Sequence, residues 1–296
     1  MKLVAATGGL GNQMFGYAFM LRLSKEHQAH LFHPYGDKSG RYGHAGFQLE
    51  QVFCLRPEDH QSHFGTELFG FYWHIIRILP KRMRQFMLKL VCQNEVKVAE
   101  NFVFYPEVFH STHKNEFFMG TWQSQRYFEG AEGDVRKAFT FNEDLLNEQT
   151  RQLADQLKQC NAVSIHVRRD DYLSTQYAPG FGGICTVAYY TAAIQYLKQR
   201  EPDLRFFIFS DDITWCRENL NFANAMFVDW NKGVDSWQDM YLMCHCKHNI
   251  IANSTFSWWG GWLNANQKKI VVAPEKWWNG LKDDVVPDTW VRLSGN

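Results

Sequence analysis

Five short apolar runs alternate with helical segments through the second half of the chain, and no other feature restricts its fold so tightly. The runs are AVSIHV (162–167), RFFIFS (205–210), AMFVDW (225–230), NIIAN (249–253) and KIVVA (269–273). Between them lie stretches of helical spacing at 187–200, opened by Thr186 as an N-cap, and at 212–220, 236–247 and 255–265. Short strands that are apolar on both faces and joined by helices build a parallel sheet covered on both sides. In such sheets ligands sit beyond the carboxyl ends of the strands. Ahead of the first run, Thr140 with Glu143 reads as a capping box for a helix burying Leu146, Leu153 and Leu157.

The first half opens in the same idiom, with a strand LVAAT, a glycine-rich turn GGLGN and a helix from about 13 to 25. Between 34 and 120 the pattern weakens, and the apolar, basic tract 69–92 reads as one or two helices broken at Pro80. A length of 296 residues accommodates two domains of ordinary size. The expectation is an α/β protein with two Rossmann-like domains facing across a cleft, divided at 1–150 and 151–296.

Composition excludes several classes of partner. Lys plus Arg and Asp plus Glu are 31 each, so there is no broad positive surface for nucleic acid or an anionic membrane. No run of about 18 apolar residues is present, so no integral membrane segment is expected. The opening MKLVAATGG enters a strand without a secretory leader, and seven scattered cysteines read as reduced thiols. A cytoplasmic location is expected, including one peripheral to the inner membrane. The aromatic share of 16% suits sugar rings, yet most such side chains fill cores. CHCKH (244–248) has the residue types of a zinc site but lies on an expected helix, where adjacent side chains diverge, so core thiols and solvent-facing histidines are favoured.

Chemistry concentrates at the strand ends. In SIHVRRDD (164–171) side chains alternate, so His166 and Arg168 project together at the carboxyl end of a strand while Arg169 takes the other face. A guanidinium forks toward two oxygens, the geometry a diphosphate wants; the competing reading is a local ion pair with Asp170 or Asp171. NSTFSWWGGWLN (253–264) is a second strand end that opens a helix, offering Asn253, Ser254, Thr255 and Ser257 as caps and free N–H groups for an anion. FSDD (209–212) places Asp211 and Asp212 at the same edge, where an acid accepts hydrogen bonds from a base or ribose or caps the next helix, the role that spacing alone favours. In the N-terminal turn, Gly8, Gly9 and Gly11 allow close approach of backbone to a ligand, and Asn12 and Gln13 add amides of the kind that read hydroxyls. Met14 stands where a dinucleotide fingerprint needs glycine, and no phosphate-loop motif exists.

GGLGNQMF (8–15), HVRRDD (166–171), FSDD (209–212) and NSTFSWWGGWLN together resemble, in order and spacing, the bacterial α-1,2-fucosyltransferases. More distantly, the HxRRxD pattern is similar to that of α-1,6- and protein O-fucosyltransferases. The resemblance implies a GT-B fold with an N-terminal acceptor-binding domain and a C-terminal donor-binding domain. It further implies a GDP-fucose donor, inversion at the anomeric carbon, and no metal or other cofactor. The acceptor would be a galactose-terminated sugar such as lactose or an O-antigen glycan. By motif position, His166, Arg168, Arg169 and Asp171 are the HxRRxD residues. Arg168 would meet the β-phosphate, and Asp171 would be a candidate base or an orienting group. Asp211 would read guanine, Asn253, Ser254, Thr255, Phe256 and Ser257 would line the diphosphate, and Asn12 would sit near the acceptor or the fucose. A non-catalytic sugar-nucleotide or glycan-binding protein is the alternative, and a nicotinamide oxidoreductase rests only on the first strand and turn.

Overall fold

The computed structural model describes residues 1–33, 46–56, 75, 78–80, 82–83, 86–87, 94–97, 102–220, 222–280 and 282–295. Most of the 69–92 tract therefore lies outside the described residues. The chain divides into two compact units, Met1–Asn142 and Glu143–Asn296.

The first unit runs β1 (Lys2–Ala5), α1 (Leu10–Ser24), β2 (Ala29–Phe32), β3 (Asn94–Lys97), β4 (Glu116–Met119) and α2 (Glu132–Ala138). Its four-stranded sheet has the order β2-β1-β4-β3, parallel throughout. Lys2 lies opposite Glu116 in the β1–β4 register, and the two form a buried ion pair that satisfies charges which could not be buried singly. Phe19 of α1 stacks on Trp122 with ring centroids 4.2 Å apart, and Phe118 and Tyr127 close around them edge-on. This aromatic group is core, the bland reading of the aromatic-rich composition.

The second unit begins with α3 (Glu148–Lys158), β5 (Asn161–Val167), α4 (Val187–Lys198), β6 (Leu204–Ser210) and α5 (Ile213–Asn219). It continues with β7 (Ala225–Val228), α6 (Trp237–His245), β8 (His248–Ile250), α7 (Thr255–Leu263), β9 (Val271–Pro274) and β10 (Val291–Leu293). The division falls before α3, not at 150/151, because α3 and its cap belong to this unit. Asn147 caps α3 by accepting from the Thr150 N–H at 2.8 Å, and its own N–H and side-chain amide reach Gln238 and Asn231. The expected capping box is not formed: the Thr140 hydroxyl donates back to Lys137, and Glu143 lies in a single 3-10 turn. Thr186 does cap α4, as expected.

The six-stranded sheet has the order β10-β9-β8-β5-β6-β7, with all neighbours parallel. β10 was not anticipated, since its three-residue run VRL carries almost no pattern. Val163, Ile165 and Val167 pack with Tyr189 and Tyr190 of α4 and Cys216 of α5 on one face. Helices α3, α6 and α7 pack with one another and against β5 and β8 on the other face. The crossover from β5 runs through α4 toward β6, whereas that from β8 runs through α7 the opposite way, toward β9. Right-handed crossovers in opposite directions place their helices on opposite faces and leave a crevice between the ends of β5 and β8.

Helix α7 packs closely on α6 and on the sheet because two glycines let it approach. A Cβ on Gly260 would lie 3.0 Å from Met243 of α6, and one on Gly261 would lie 3.1 Å from Val271 of β9. At its far end, the Lys269 ammonium donates to the carbonyls of Gly261, Trp262 and Asn264 at 2.8, 3.1 and 2.7 Å. Between α3 and α6, Asn231 donates to Asp239 at 2.8 Å, and burial pushes the Asp239 carboxyl up to about 7. Among the described residues no helix is long and apolar enough to cross a membrane.

Candidate active site

Strand β5 is buried from Ala162 to Val167, and its pairing with β6 ends at Val167 opposite Ser210. Arg168 and Asp211 are therefore the next residues of adjacent strands, brought side by side by register. The Arg168 Nε donates to Asp171 Oδ1 at 2.9 Å, and its Nη1 lies 3.2 Å from Asp211 Oδ2. Tyr172 lies beneath the guanidinium, 5.9 Å from ring centroid to Cζ. Burial alone would lower the Arg168 pKa, but Asp171 and Asp211 outweigh it and the net shift is upward. Arg168 thus keeps its charge where α/β sheets bind ligands.

Arg169 is occupied differently. Its Nε donates to Asp212 at 3.1 Å, and its guanidinium lies 4.1 Å from the Trp215 ring centre. Asp212 also caps α5 by accepting from the Trp215 N–H at 3.0 Å, so this second pair braces a helix start. The Asp170 side chain is exposed and makes no capping bond.

His166 occupies the face of β5 that turns toward α6 and α7. It is buried, its ring centroid 5.7 Å from that of Phe256, and its Nδ1 has no hydrogen-bond partner. Burial, reinforced by the Arg168 charge, lowers its pKa to about 3, so the ring is neutral. A buried ring nitrogen without a partner is costly in a finished core, and a catalytic or ligand-binding role is one explanation for it.

Ser254 caps α7 with extended backbone and no side-chain bond, so the first-turn N–H groups of Thr255, Phe256 and Ser257 have no partner within the helix. Ser257 turns its hydroxyl back to the carbonyls of Ala252 and Ser254. Asn253 is spent on structure: its amide donates to Phe181 and Trp277 carbonyls, both at 3.2 Å, and its Oδ1 accepts from Cys185. The geometry thus favours backbone over side chains as the donors of this loop.

In the first unit, Gly8 has φ +75°, and a Cβ there would lie 2.7 Å from the Asn12 amide nitrogen. Gly9 starts α1 with no side-chain cap, and Gly11 is buried in the first turn. Gln13 is fully buried and clamped: it donates to Gly8 and Gly46 carbonyls at 2.9 and 2.8 Å and accepts from the Gln48 N–H at 3.0 Å. It shapes the turn and has no amide edge left to read a hydroxyl. Asn12 is half-buried, and its Oδ1 accepts from Gln123 at 2.9 Å. Sequence reasoning missed Gln123 and Tyr172. The first follows a short strand with no motif around it, whereas the second directly follows HVRRDD and was within reach.

Among the described residues no three of His, Cys, Asp and Glu are grouped as a metal-ion set. In the CHCKH stretch Cys246 is buried and bonds to Leu242, as a core thiol should, but His248 is buried on β8 with its Nδ1 accepting from the Ile270 N–H at 3.0 Å, and so does not face solvent as expected. The six described cysteines are free thiols.

The profile of glycosyl transferase family 11 matches residues 84–291. The chain belongs to this family. Family 11 membership is supported along nearly the full length by an Escherichia coli alpha-1,2-colitosyltransferase, 35% identical and aligned over 99% of both chains. The O-antigen biosynthesis glycosyltransferase WbnK of Escherichia coli is 32% identical over 97% of this chain and 98% of its own. A galactoside alpha-(1,2)-fucosyltransferase 1 of Leontocebus fuscicollis is 26% identical over 53% of this chain and 51% of its own. In structure, fucosyltransferase NodZ from Bradyrhizobium aligns with TM-score 0.53 at 15% identity over 88% of this chain and 91% of that one. The family 11 chain therefore has the α/β architecture of the GT-B type expected from sequence, each unit built on a parallel sheet, and it is a glycosyltransferase.

Proposed function

We propose that the protein transfers L-fucose from GDP-β-L-fucose to the 2-hydroxyl of a galactose residue, with inversion at the anomeric carbon. The observation that carries this reading is Arg168, a charged guanidinium gripped by two carboxylates at the switch point of the second sheet. Breaking the bond from sugar C1 to phosphate oxygen leaves extra negative charge on the diphosphate while the sugar becomes oxocarbenium-like. Donors already aimed at that charge lower the barrier because they need no reorganisation as it develops. Arg168 and the N–H groups of Thr255, Phe256 and Ser257 supply them, and on this reading transfer proceeds without a divalent ion or other cofactor. His166 Nδ1, neutral and unpartnered, accepts a hydrogen bond from the bound donor or a water carried with it. Asp171, with one oxygen held by the Arg168 guanidinium, chiefly orients Arg168. Asn12, fixed by Gln123, reads the acceptor or the fucose.

A second reading of the donor rests on the 35% identity to a colitosyltransferase over both full lengths. Colitose is fucose without the 3-hydroxyl, so the same leaving-group machinery serves either sugar. The acceptor is a galactose-terminated glycan such as lactose or an O-antigen intermediate, and the free thiols fit a cytoplasmic setting. The test is incubation with GDP-fucose or GDP-colitose and a panel of galactosides, with and without EDTA, followed by linkage analysis. Transfer of fucose to the galactose 2-hydroxyl in EDTA is expected. Transfer of colitose alone would decide for the second donor, and a requirement for added metal would overturn the metal-independent mechanism.

A further inference from the structure

Strand register decides which acid serves which arginine. With Val167 opposite Ser210, the residues that follow are Arg168 and Arg169 on one strand and Asp211 and Asp212 on the other. The four side chains sort into two separate pairs, Arg168 with Asp211 and Arg169 with Asp212. The second pair is explained by helix capping and the Trp215 stack. The first pair caps no helix: the contacts of Asp211 lead to the Arg169 backbone N–H and to the Arg168 guanidinium.

Both oxygens of Asp211 are engaged. Oδ1 accepts from the Arg169 backbone N–H at 2.9 Å, fixing the strand end, and Oδ2 lies 3.2 Å from Arg168 Nη1. Its side chain is 15% exposed, and burial raises its pKa even against the opposing pull of Arg168. Asp171 holds the Nε edge of the same guanidinium, so two carboxylates fix two of its three nitrogens. Among the described residues Nη2 has no partner, which leaves one edge of a rigid fork to present outward. A carboxylate that reads guanine must instead offer both oxygens to the N1 and N2 donors of the base, and Asp211 has turned both toward its own chain.

We propose that Asp211 is a positioning residue: it aims Arg168 at the leaving diphosphate and does not recognise the nucleotide base. This rests on the leaving-group role assigned to Arg168 above. Without Asp211 the guanidinium keeps only the Asp171 contact and swings on its flexible stem. The charge remains but is no longer preorganised, which in an oxyanion-type site lowers kcat by on the order of a hundredfold.

The experiment has a structural and a kinetic arm. A crystal structure of Asp211→Ala should show the Arg168 guanidinium displaced while β5, β6 and the Arg169–Asp212 pair stay in place. An unmoved Arg168 overturns the proposal whatever the activity. Kinetically, Asp211→Ala and Asp211→Asn should lose kcat with GDP-to-IDP binding selectivity unchanged, and the Arg168→Ala/Asp211→Ala double variant should be no slower than Arg168→Ala alone. Collapse of GDP-to-IDP selectivity, or losses that multiply in the double variant, would assign Asp211 a role independent of Arg168 and overturn the proposal. If the wild-type protein bound no GDP and transferred no sugar, the functional reading would fail, while the crystallographic arm would still decide whether Asp211 positions Arg168.

Discussion

The Tyr172 hydroxyl donates to the Asn253 carbonyl at 2.9 Å, tying the loop after β5 to the loop after β8 across the switch point. Tyr172 also lies beneath Arg168, so one side chain joins the guanidinium to the segment that opens α7. Replacing Tyr172 by Phe keeps the ring and removes the tie. The expected outcome is a loss of about 1 kcal/mol in urea unfolding and a larger relative loss in kcat than in donor affinity.

The two arginines should separate cleanly under the same conservative change. Lys keeps charge but lacks the planar fork, so Arg168→Lys is expected to lose two or more orders of magnitude in kcat/KM, on the order of 3 kcal/mol in the transition state. Arg169→Lys should cost stability through the lost Trp215 stack and retain much of the turnover. Steady-state kinetics beside thermal melts distinguish the two, and equal catalytic losses would remove the division of labour drawn here.

His166 makes a prediction about acid. Its pKa is about 6.5 in the unfolded chain and is lowered by burial to about 3 in the fold. A lowered basic pKa contributes stability that is complete above the unfolded value and is lost as pH falls from 6.5 toward 3. Over that window the residue contributes a slope of about 1.4 kcal/mol per pH unit. The variant His166→Gln should show a flatter dependence of unfolding free energy on pH than the parent.

Asp239 has the opposite sign. Its carboxyl rises from 3.8 to about 7, so the fold prefers it protonated, and its contribution is complete below the unfolded pKa and lost as pH rises through 7. Asp239→Asn keeps an acceptor for Asn231 and removes the charge. At pH 8 the variant should be the more stable protein by on the order of 2 kcal/mol, and at pH 4 nearly equal to the parent. Denaturant midpoints at the two pH values test this.

The second unit was largely legible because strand and helix periods differ and each of its five main apolar runs is bounded by polar turns. What escaped had no local signal. β10 is three residues that pair only because β9 is there, and the division before α3 depends on bonds from Asn147 to residues far along the chain. Candidate site residues could be named by type and place, but their partners could not. From sequence, Gln13 reads as an amide that meets hydroxyls, and Asn253 as a helix cap to which the family resemblance adds a place beside the diphosphate. Both instead saturate neighbouring backbone, a demand that appears only once remote carbonyls from Gly46 and Trp277 arrive beside them. The alternation along β5 did foretell that His166 and Arg168 share an edge, since that depends only on the pleat.

Lys269 has an effect at the end of α7 that it never touches. A helix presents partial charges of opposite sign at its two termini, and over nine residues, about 13 Å, the fields of the two poles partly cancel at a distance. The ammonium covers the negative pole by meeting three of its carbonyls, whereas Ser254 leaves the positive pole open. With one pole silenced, α7 acts on its surroundings as a single positive source. Its pull on an anion seated at the first turn of α7 is then less offset by the far pole than in a bare helix.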